Sequence, residues 1–209
     1  MSKLIVIRHH ESEWNKVGQW TGIRDRHLTE YGFKKSAEMG DLIKDIPIDA
    51  AFASMQVRSI ETLSCILETL GLFHTPTIHS ASLNERDYGD YTGKNKWQML
   101  EELGEKTWNN VRREWDYPVP NGETLKDVYA RVVPYFKEYV LPLLCEGKNV
   151  LLVSHGNAIR ALMKYIESIS DEDIAQVEML FGGILVYDFD QKGCMTQKEV
   201  RQAESKVIV

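Results

Sequence analysis

Three short apolar runs, each followed at once by polar and charged residues, constrain this chain more than any other feature. Lys3 to Ile7, Asp49 to Ala53 and Asn149 to Ser154 are too short for helices, carry apolar side chains on both faces and contain no proline. Such runs suit strands buried on both sides in a parallel sheet. Helical periodicity fills the intervals. Thr29 to Lys44 carries Ala37, Leu42 and Ile43, and Val57 to Leu70 sets Ile60, Leu63, Ile66, Leu67 and Leu70 on one face. Glu123 to Glu146 reads as a long helix striped by Leu125, Val128, Val132 and Phe136, which Pro134 and Pro142 are expected to bend or break. A helix over Asn157 to Glu167, another opening at Ser170 with a capping-box pattern, and a last strand over Gly183 to Phe189 complete the pattern before a polar tail. Tyr117 to Gly122, with Pro118, Pro120 and Gly122, reads as a loop. The alternation predicts the α/β class: a three-layer α/β/α sandwich with a mostly parallel central sheet and helices on both faces.

No repeat, low-complexity tract or long linker divides the 209 residues, so the chain is read as one domain over 1–209. Lys and Arg number 25 against 31 Asp and Glu, a net charge of −6, which argues against nucleic acid as a partner. No apolar run approaches the ~18 residues of a membrane span, so no membrane partner and a cytoplasmic location are expected. Cys65, Cys145 and Cys194 lie far apart without disulfide or zinc spacing.

Open parallel sheets bind ligands beyond the carboxyl ends of their strands, which makes the residues after the three runs the first to examine. The first run leads into Arg8-His9-His10-Glu11, the second into Ser54 and then Arg58, and the third into His155-Gly156-Asn157. One sheet edge would thus gather two arginines and at least two histidines from distant segments. Guanidinium groups clasp phosphate or carboxylate oxygens, and imidazole serves as nucleophile, acid or base. Phosphoryl transfer fits this set. It also needs an acid for the leaving oxygen, and Glu85, in the polar turn Ser82 to Gly89, is the candidate. No Gly-rich phosphate loop, dinucleotide fingerprint or zincin spacing is present. A metal on His9, His10 and His155 stays open as a reading, although Arg8 and Arg58 would oppose a cation. Taken alone, Arg112-Arg113 beside Glu114 read as a solvated helix face.

Arg8-His9-x-Glu11, Arg58, Glu85 and His155-Gly156 resemble the histidine phosphatase superfamily, whose members carry a phosphohistidine. Further motifs resemble the cofactor-dependent phosphoglycerate mutases. They include Leu4 to Asn15, Trp20-Thr21-Gly22, Leu28-Thr29-Glu30-x-Gly32, Leu83-Asn84-Glu85-Arg86-x-Tyr88-Gly89, Gly93-x-Asn95-Lys96, Trp108 through Arg112-Arg113, and Ser154-His155-Gly156-Asn157-x-x-Arg160. The likeness extends from Lys3 to about Asp190.

The resemblance implies interconversion of 3-phosphoglycerate and 2-phosphoglycerate, with 2,3-bisphosphoglycerate as the priming cofactor and no metal. By position, His9 is the residue phosphorylated, Glu85 the general acid and base, and His155 the second histidine. Arg8, Arg58, Ser12, Asn15, Gly156 and Asn157 would surround the transferring phosphoryl group. Thr21, Gly22, Tyr88, Lys96, Arg112 and Arg113 would receive the rest of a small anionic phosphoglycerate. The resemblance also implies a homodimer and a mobile tail at 198–209.

The sequence departs from this family at His10, where the family has Gly, and at Phe181-Gly182-Gly183, where the usual pattern is Thr-Gly-Val-Pro. Only Glu114 to Val119 separate the arginine pair from Pro120-Asn121-Gly122-Glu123, as in the short bacterial form. Two alternatives follow: a histidine-type phosphatase of the same superfamily, or a non-catalytic phosphometabolite-binding protein impaired at His10.

Overall fold

The computed structural model describes residues 1–203. Strands β1 (Ser2–Arg8), β2 (Ala50–Ser54), β3 (Thr77–Ser80), β4 (Val150–Ser154), β5 (Gly183–Phe189) and β6 (Met195–Gln202) form a sheet in the order β3-β2-β4-β1-β5-β6. The pairs β3–β2, β2–β4 and β4–β1 are parallel, whereas β5 runs antiparallel to β1 and β6 antiparallel to β5, leaving β5 as the one reversed strand. β1 and β4 pair in register from Leu4 opposite Val150 to Arg8 opposite Ser154. They therefore end level, and the His9 amide donates to the Ser154 carbonyl at 3.0 Å, which brings His9 and His155 off the sheet side by side.

The helices are α1 (Glu13–Lys16), α2 (Glu30–Asp41), α3 (Val57–Thr69), α4 (Lys96–Arg113), α5 (Leu125–Tyr135), α6 (Leu141–Cys145) and α7 (Gly156–Ile166). Successive strand residues point to opposite faces, and the two faces build two cores. Ile5, Ile7, Ala51, Ala53, Leu151 and Val153 pack with Met39 of α2, Ile43 just beyond it, and Leu63 and Ile66 of α3. Leu4, Val6, Phe52 and Leu152 pack with Leu125, Val128 and Val132 of α5, Leu144 of α6, and Ala158 and Leu162 of α7. This is the expected three-layer sandwich with a mostly parallel sheet. A third, smaller cluster of Trp20, Met99, Trp108, Val111 and Val119 lies under α4.

Several elements depart from the pattern expected. The long helix over Glu123 to Glu146 is α5, a wider π-type turn over Phe136–Val140, and α6. Pro142 has no N–H for the carbonyl one turn back and its ring crowds that position; the widened turn just before it accommodates both. The helix expected from Ser170 is reduced to one short turn, Asp173–Gln176, although the Ser170 hydroxyl does accept from the Asp173 amide at 3.0 Å. Helix α4 is unannounced by apolar periodicity because it buries only Met99, Trp108 and Val111 and is kinked at Gly104, whose φ is +73°. Strands β3 and β6 are polar, exposed edge strands with no buried face to mark them. Within the expected tail, Lys198 to Gln202 belong to β6, and residues 204–209 lie outside the described residues.

Candidate active site

The carboxyl ends of β1, β2 and β4 open into a solvent-connected cleft lined by polar and charged side chains. All the expected site residues line it except His155 and Ser12. His155 is fully buried behind His9, the ring centroids 4.8 Å apart, and Ser12 caps α1 with its hydroxyl 2.7 Å from Asn15 Oδ1.

His9 is held by its own backbone neighbourhood. Its Nδ1 lies 2.6 Å from the His10 carbonyl, which can only accept, so Nδ1 carries the proton and Nε2 presents a lone pair. Arg58 Nε donates to that Nε2 at 3.3 Å. Burial, reinforced by the charges of Arg58 and Arg8, pushes the His9 imidazole well below its usual range, so the ring is neutral at pH 7. His155 is lowered for the same reasons, burial first and Arg58 second. Its Nε2 pairs with Ser54 Oγ at 2.7 Å, and its Nδ1 has no partner among the described residues.

The arginines are fixed by neutral groups. Arg58 donates to the carbonyls of Arg24 at 2.9 Å and Gly22 at 3.0 Å. Gly22 has φ +52°, and a Cβ there would come within 2.9 Å of Thr92 Oγ1, so only glycine turns that carbonyl inward. Arg8 donates to the Met179 carbonyl at 2.5 Å and lies 3.6 Å above the Phe181 ring. Burial lowers the affinity of Arg58 for its proton to about 10, which still leaves it charged at neutral pH.

Glu85 is buried and oriented through backbone groups. One oxygen accepts from the amides of Arg86 at 2.8 Å and Asn157 at 3.2 Å, the latter at the amino end of α7, where anionic groups are favoured. The Glu85 amide donates to Gln56 Oε1 at 2.7 Å, and its carbonyl accepts from Arg131, itself paired with Glu123 at 2.8 Å.

The far end of the cleft is built on α4. Lys96 opens that helix, and burial together with Arg8 and Arg112 brings its ammonium down to about 8. Arg112 stacks 4.1 Å over Trp108, and Arg113 pairs with Glu178 at 2.8 Å. Arg160 of α7 donates to the carbonyls of Arg112, Arg113 and Ile174, tying the end of α4 to the sheet layer. Tyr88 stacks on Trp20 at 5.3 Å and accepts from Asn157 Nδ2 at 2.9 Å.

Gln19, Trp20, Arg160, Glu178 and Met179 also line the cleft and were not among the expected site residues. Trp20 and Arg160 stood inside quoted motifs, whereas Glu178 and Met179 follow no strand end and carry no sequence signal. Among the described residues, no three of His, Cys, Asp and Glu form a group able to hold a metal ion, and no helix is long and apolar enough to cross a membrane.

His10 does not line the cleft. It is fully buried, its Nδ1 accepts from the Glu11 amide at 2.8 Å, and its ring packs edge-on to Tyr31 at 5.3 Å. Its φ is not positive, so the backbone here makes no demand for glycine. Gly182 lacks the Cβ that would come within 3.3 Å of the His10 ring, which places the two departures from the family pattern in contact.

The Histidine phosphatase superfamily (branch 1) matches residues 4–200. A 2,3-bisphosphoglycerate-dependent phosphoglycerate mutase of Parvibaculum lavamentivorans is 40% identical over 199 residues, covering 94% of this chain and 95% of its own. The enzyme of that name from Cytophaga hutchinsonii is 41% identical, covering 92% and 90%. Among solved structures, mycobacterial hydrolase 1 superposes with a TM-score of 0.83 at 21% identity over 98% of this chain and 99% of that one. Bacillus stearothermophilus YhfR gives 0.81 at 22% identity over 94% and 95%. At such identities the structures speak for the fold alone. The match over most of the chain and the two mutase relatives carry the assignment: this chain belongs to the histidine phosphatase superfamily and, within it, to the 2,3-bisphosphoglycerate-dependent phosphoglycerate mutases.

Proposed function

We propose that this protein interconverts 3-phosphoglycerate and 2-phosphoglycerate in the cytoplasm through a phosphohistidine at His9. The observation that carries the reading is His9 itself: a neutral imidazole that lines a cation-lined cleft, its Nδ1–H fixed by the His10 carbonyl and the lone pair of its Nε2 met by Arg58 Nε at 3.3 Å. 2,3-Bisphosphoglycerate, when bound, supplies the phosphoryl group that primes His9. Arg8 Nε, Thr21 Oγ1 and Arg160 Nε in the cleft wall, and His155 Nδ1 behind it, are buried polar atoms without partners among the described residues, as expected of a site built for an oxygen-rich anion. Their chemistry fits that ligand.

In the donating direction, the hydroxyl of a bound phosphoglycerate gives its proton to the Glu85 carboxylate while its oxygen bonds to phosphorus and the bond from His9 Nε2 to phosphorus breaks. In the recovering direction, His9 Nε2 bonds to the neighbouring phosphoryl group and Glu85 returns the proton to the departing oxygen. Glu85 thus carries one proton back and forth, and His9 keeps the phosphoryl group out of solution between the two half-reactions. Arg8, Arg58 and His155 hold the equatorial oxygens, where charge is concentrated in transfer. Asn15, Gly156 and Asn157 frame that end, with Ser12 holding Asn15 from behind, and Thr21, Gly22, Tyr88, Lys96, Arg112 and Arg113 receive the substrate's remaining anionic groups. Because His10 faces away from the cleft, it gives no steric ground for an inactive protein. A homodimer belongs to the same reading, and sedimentation velocity tests it.

A coupled assay with 3-phosphoglycerate, run with and without 2,3-bisphosphoglycerate, tests the reading. Isomerisation that depends on the bisphosphate is expected. Release of inorganic phosphate without 2-phosphoglycerate would instead mark a phosphatase, and tight binding with neither product a binding protein.

A further inference from the structure

How each cation of the cleft is held decides what it offers a ligand. Arg58 and Arg160 rest on backbone carbonyls, Arg8 on a carbonyl and the Phe181 face, and Arg112 on the Trp108 ring. Those partners are neutral, so none of these charges is taken up in an ion pair and each can draw an anion. Arg113 differs. Among the described residues it alone of the cleft's cations is ion-paired, its Nη2 2.8 Å from Glu178 Oε1. Glu178 stands on the segment between α7 and β5, lines the cleft, and keeps its side chain 34% exposed. Its charge also reaches Arg8, Lys96 and Arg112, drawing each toward the protonated form. A carboxylate therefore stands where a phosphoglycerate must place an anionic group.

Resting on the functional reading above, we infer that Glu178 is a specificity-determining residue: it occupies Arg113 in the free protein as an internal substitute for the ligand's second anionic group. A ligand with two anionic ends takes Arg113 over. The exchange is easy, because an exposed ion pair is weak and screened by salt. A ligand with a single anionic end, seated at His9, leaves the pair intact and gains nothing from Arg113. Glu178 thereby lowers the affinity for doubly anionic ligands and eases their release.

Isothermal titration of wild type, Glu178→Gln, Arg113→Gln and the double variant, with 3-phosphoglycerate and with inorganic phosphate, tests the inference. Glu178→Gln should lower Kd for 3-phosphoglycerate about fivefold, while Kd for inorganic phosphate moves by less than about twofold. Arg113→Gln should weaken 3-phosphoglycerate, and in that background Glu178→Gln should tighten it by less than about twofold. The inference is overturned if Glu178→Gln leaves 3-phosphoglycerate unchanged, tightens inorganic phosphate equally, or tightens fully without Arg113. It is also overturned if wild type holds 3-phosphoglycerate no more tightly than inorganic phosphate. Isomerisation is assayed alongside. Wild type that binds as expected yet never isomerises rejects the functional reading and keeps the inference, whereas isomerisation with no response to Glu178→Gln rejects the inference alone.

Discussion

The two ends of the cleft are built by different means. At the inner end, Arg8, His9, Arg58 and His155 stand at or just beyond the ends of buried strands and Glu85 in the turn that follows β3, and each is at most 8% exposed apart from half-buried Arg8. Their orienting bonds run mostly to backbone groups: His9 to the His10 carbonyl, Arg58 to Gly22 and Arg24, Glu85 to two amides. At the outer end, Lys96, Arg112 and Arg113 ride on a kinked helix that rests on a small separate core and is tied to the sheet by Arg160. Chemistry that must place atoms within tenths of an ångström sits on the sheet, and recognition of the distant anionic groups is left to a helix that can adjust. The inner end should therefore govern kcat and the outer end KM.

The largest effect expected from that division is at His9. His9→Gln removes the phosphoryl acceptor while keeping a polar side chain, so kcat should fall by at least about 10⁴-fold, with Kd for 3-phosphoglycerate changing less than about tenfold. Labelled phosphate should no longer be trapped on the denatured protein. A variant that still traps it, or that keeps a tenth of wild-type activity, moves the nucleophile elsewhere.

A smaller effect, on the other parameter, is expected at Lys96. Losing a charge-assisted contact in Lys96→Met should raise KM about 10- to 100-fold and change kcat less than about fivefold. Lys96 is held at about 8, so it is mostly charged at pH 7 and mostly neutral at pH 9. Affinity for an anionic substrate should accordingly fall as pH rises through 8 in wild type and stay flat from pH 7 to 9 in Lys96→Met. If kcat collapses while KM holds, the two ends are not divided as stated.

The same division explains what the residues disclosed in advance. Strands β1, β2 and β4 are apolar on both faces, and the polar residues immediately after them could only sit at a sheet edge, so Arg8, His9, Arg58 and His155 were legible from pattern and chemistry alone. Glu85 was a candidate from the need for an acid alone, and the family motif then set it apart from an ordinary surface carboxylate. Arg112 and Arg113 read as a solvated helix face because α4 buries little and Gly104 interrupts its period. Glu178 was invisible: its importance comes from Arg113, 65 positions away in sequence, and no local pattern encodes that meeting. Edge strands β3 and β6 were missed because strand pairing requires only backbone, and their side chains face solvent.

The smallest effect is expected at His10, where the sequence departs most visibly from its family. The side chain reaches neither end of the cleft; it fills space among Tyr31, Phe181 and Gly182, and its Nε2 is buried without a partner among the described residues. His10→Gly deletes that packing and the acceptor of the Glu11 amide but also removes an unsatisfied polar atom, so a net loss of about 1 to 2 kcal/mol in stability is expected. The carbonyl that fixes His9 Nδ1 belongs to the backbone and survives the change, so kcat should stay within about tenfold of wild type. Burial, with Lys35 and Arg8 nearby, lowers the His10 ring to about 4, below the 6.5 of an unfolded chain. The unfolded state therefore binds more protons between those values, and wild type loses stability as pH falls from 6.5 toward 4. His9 and His155 add to that loss in both proteins, so His10→Gly should shed only its own share and show a shallower acid limb in chemical denaturation. A wild type without isomerase activity that becomes active on His10→Gly would place the His10 side chain in the working of the site after all, and would undo the separation of scaffold from cleft on which the comparison rests.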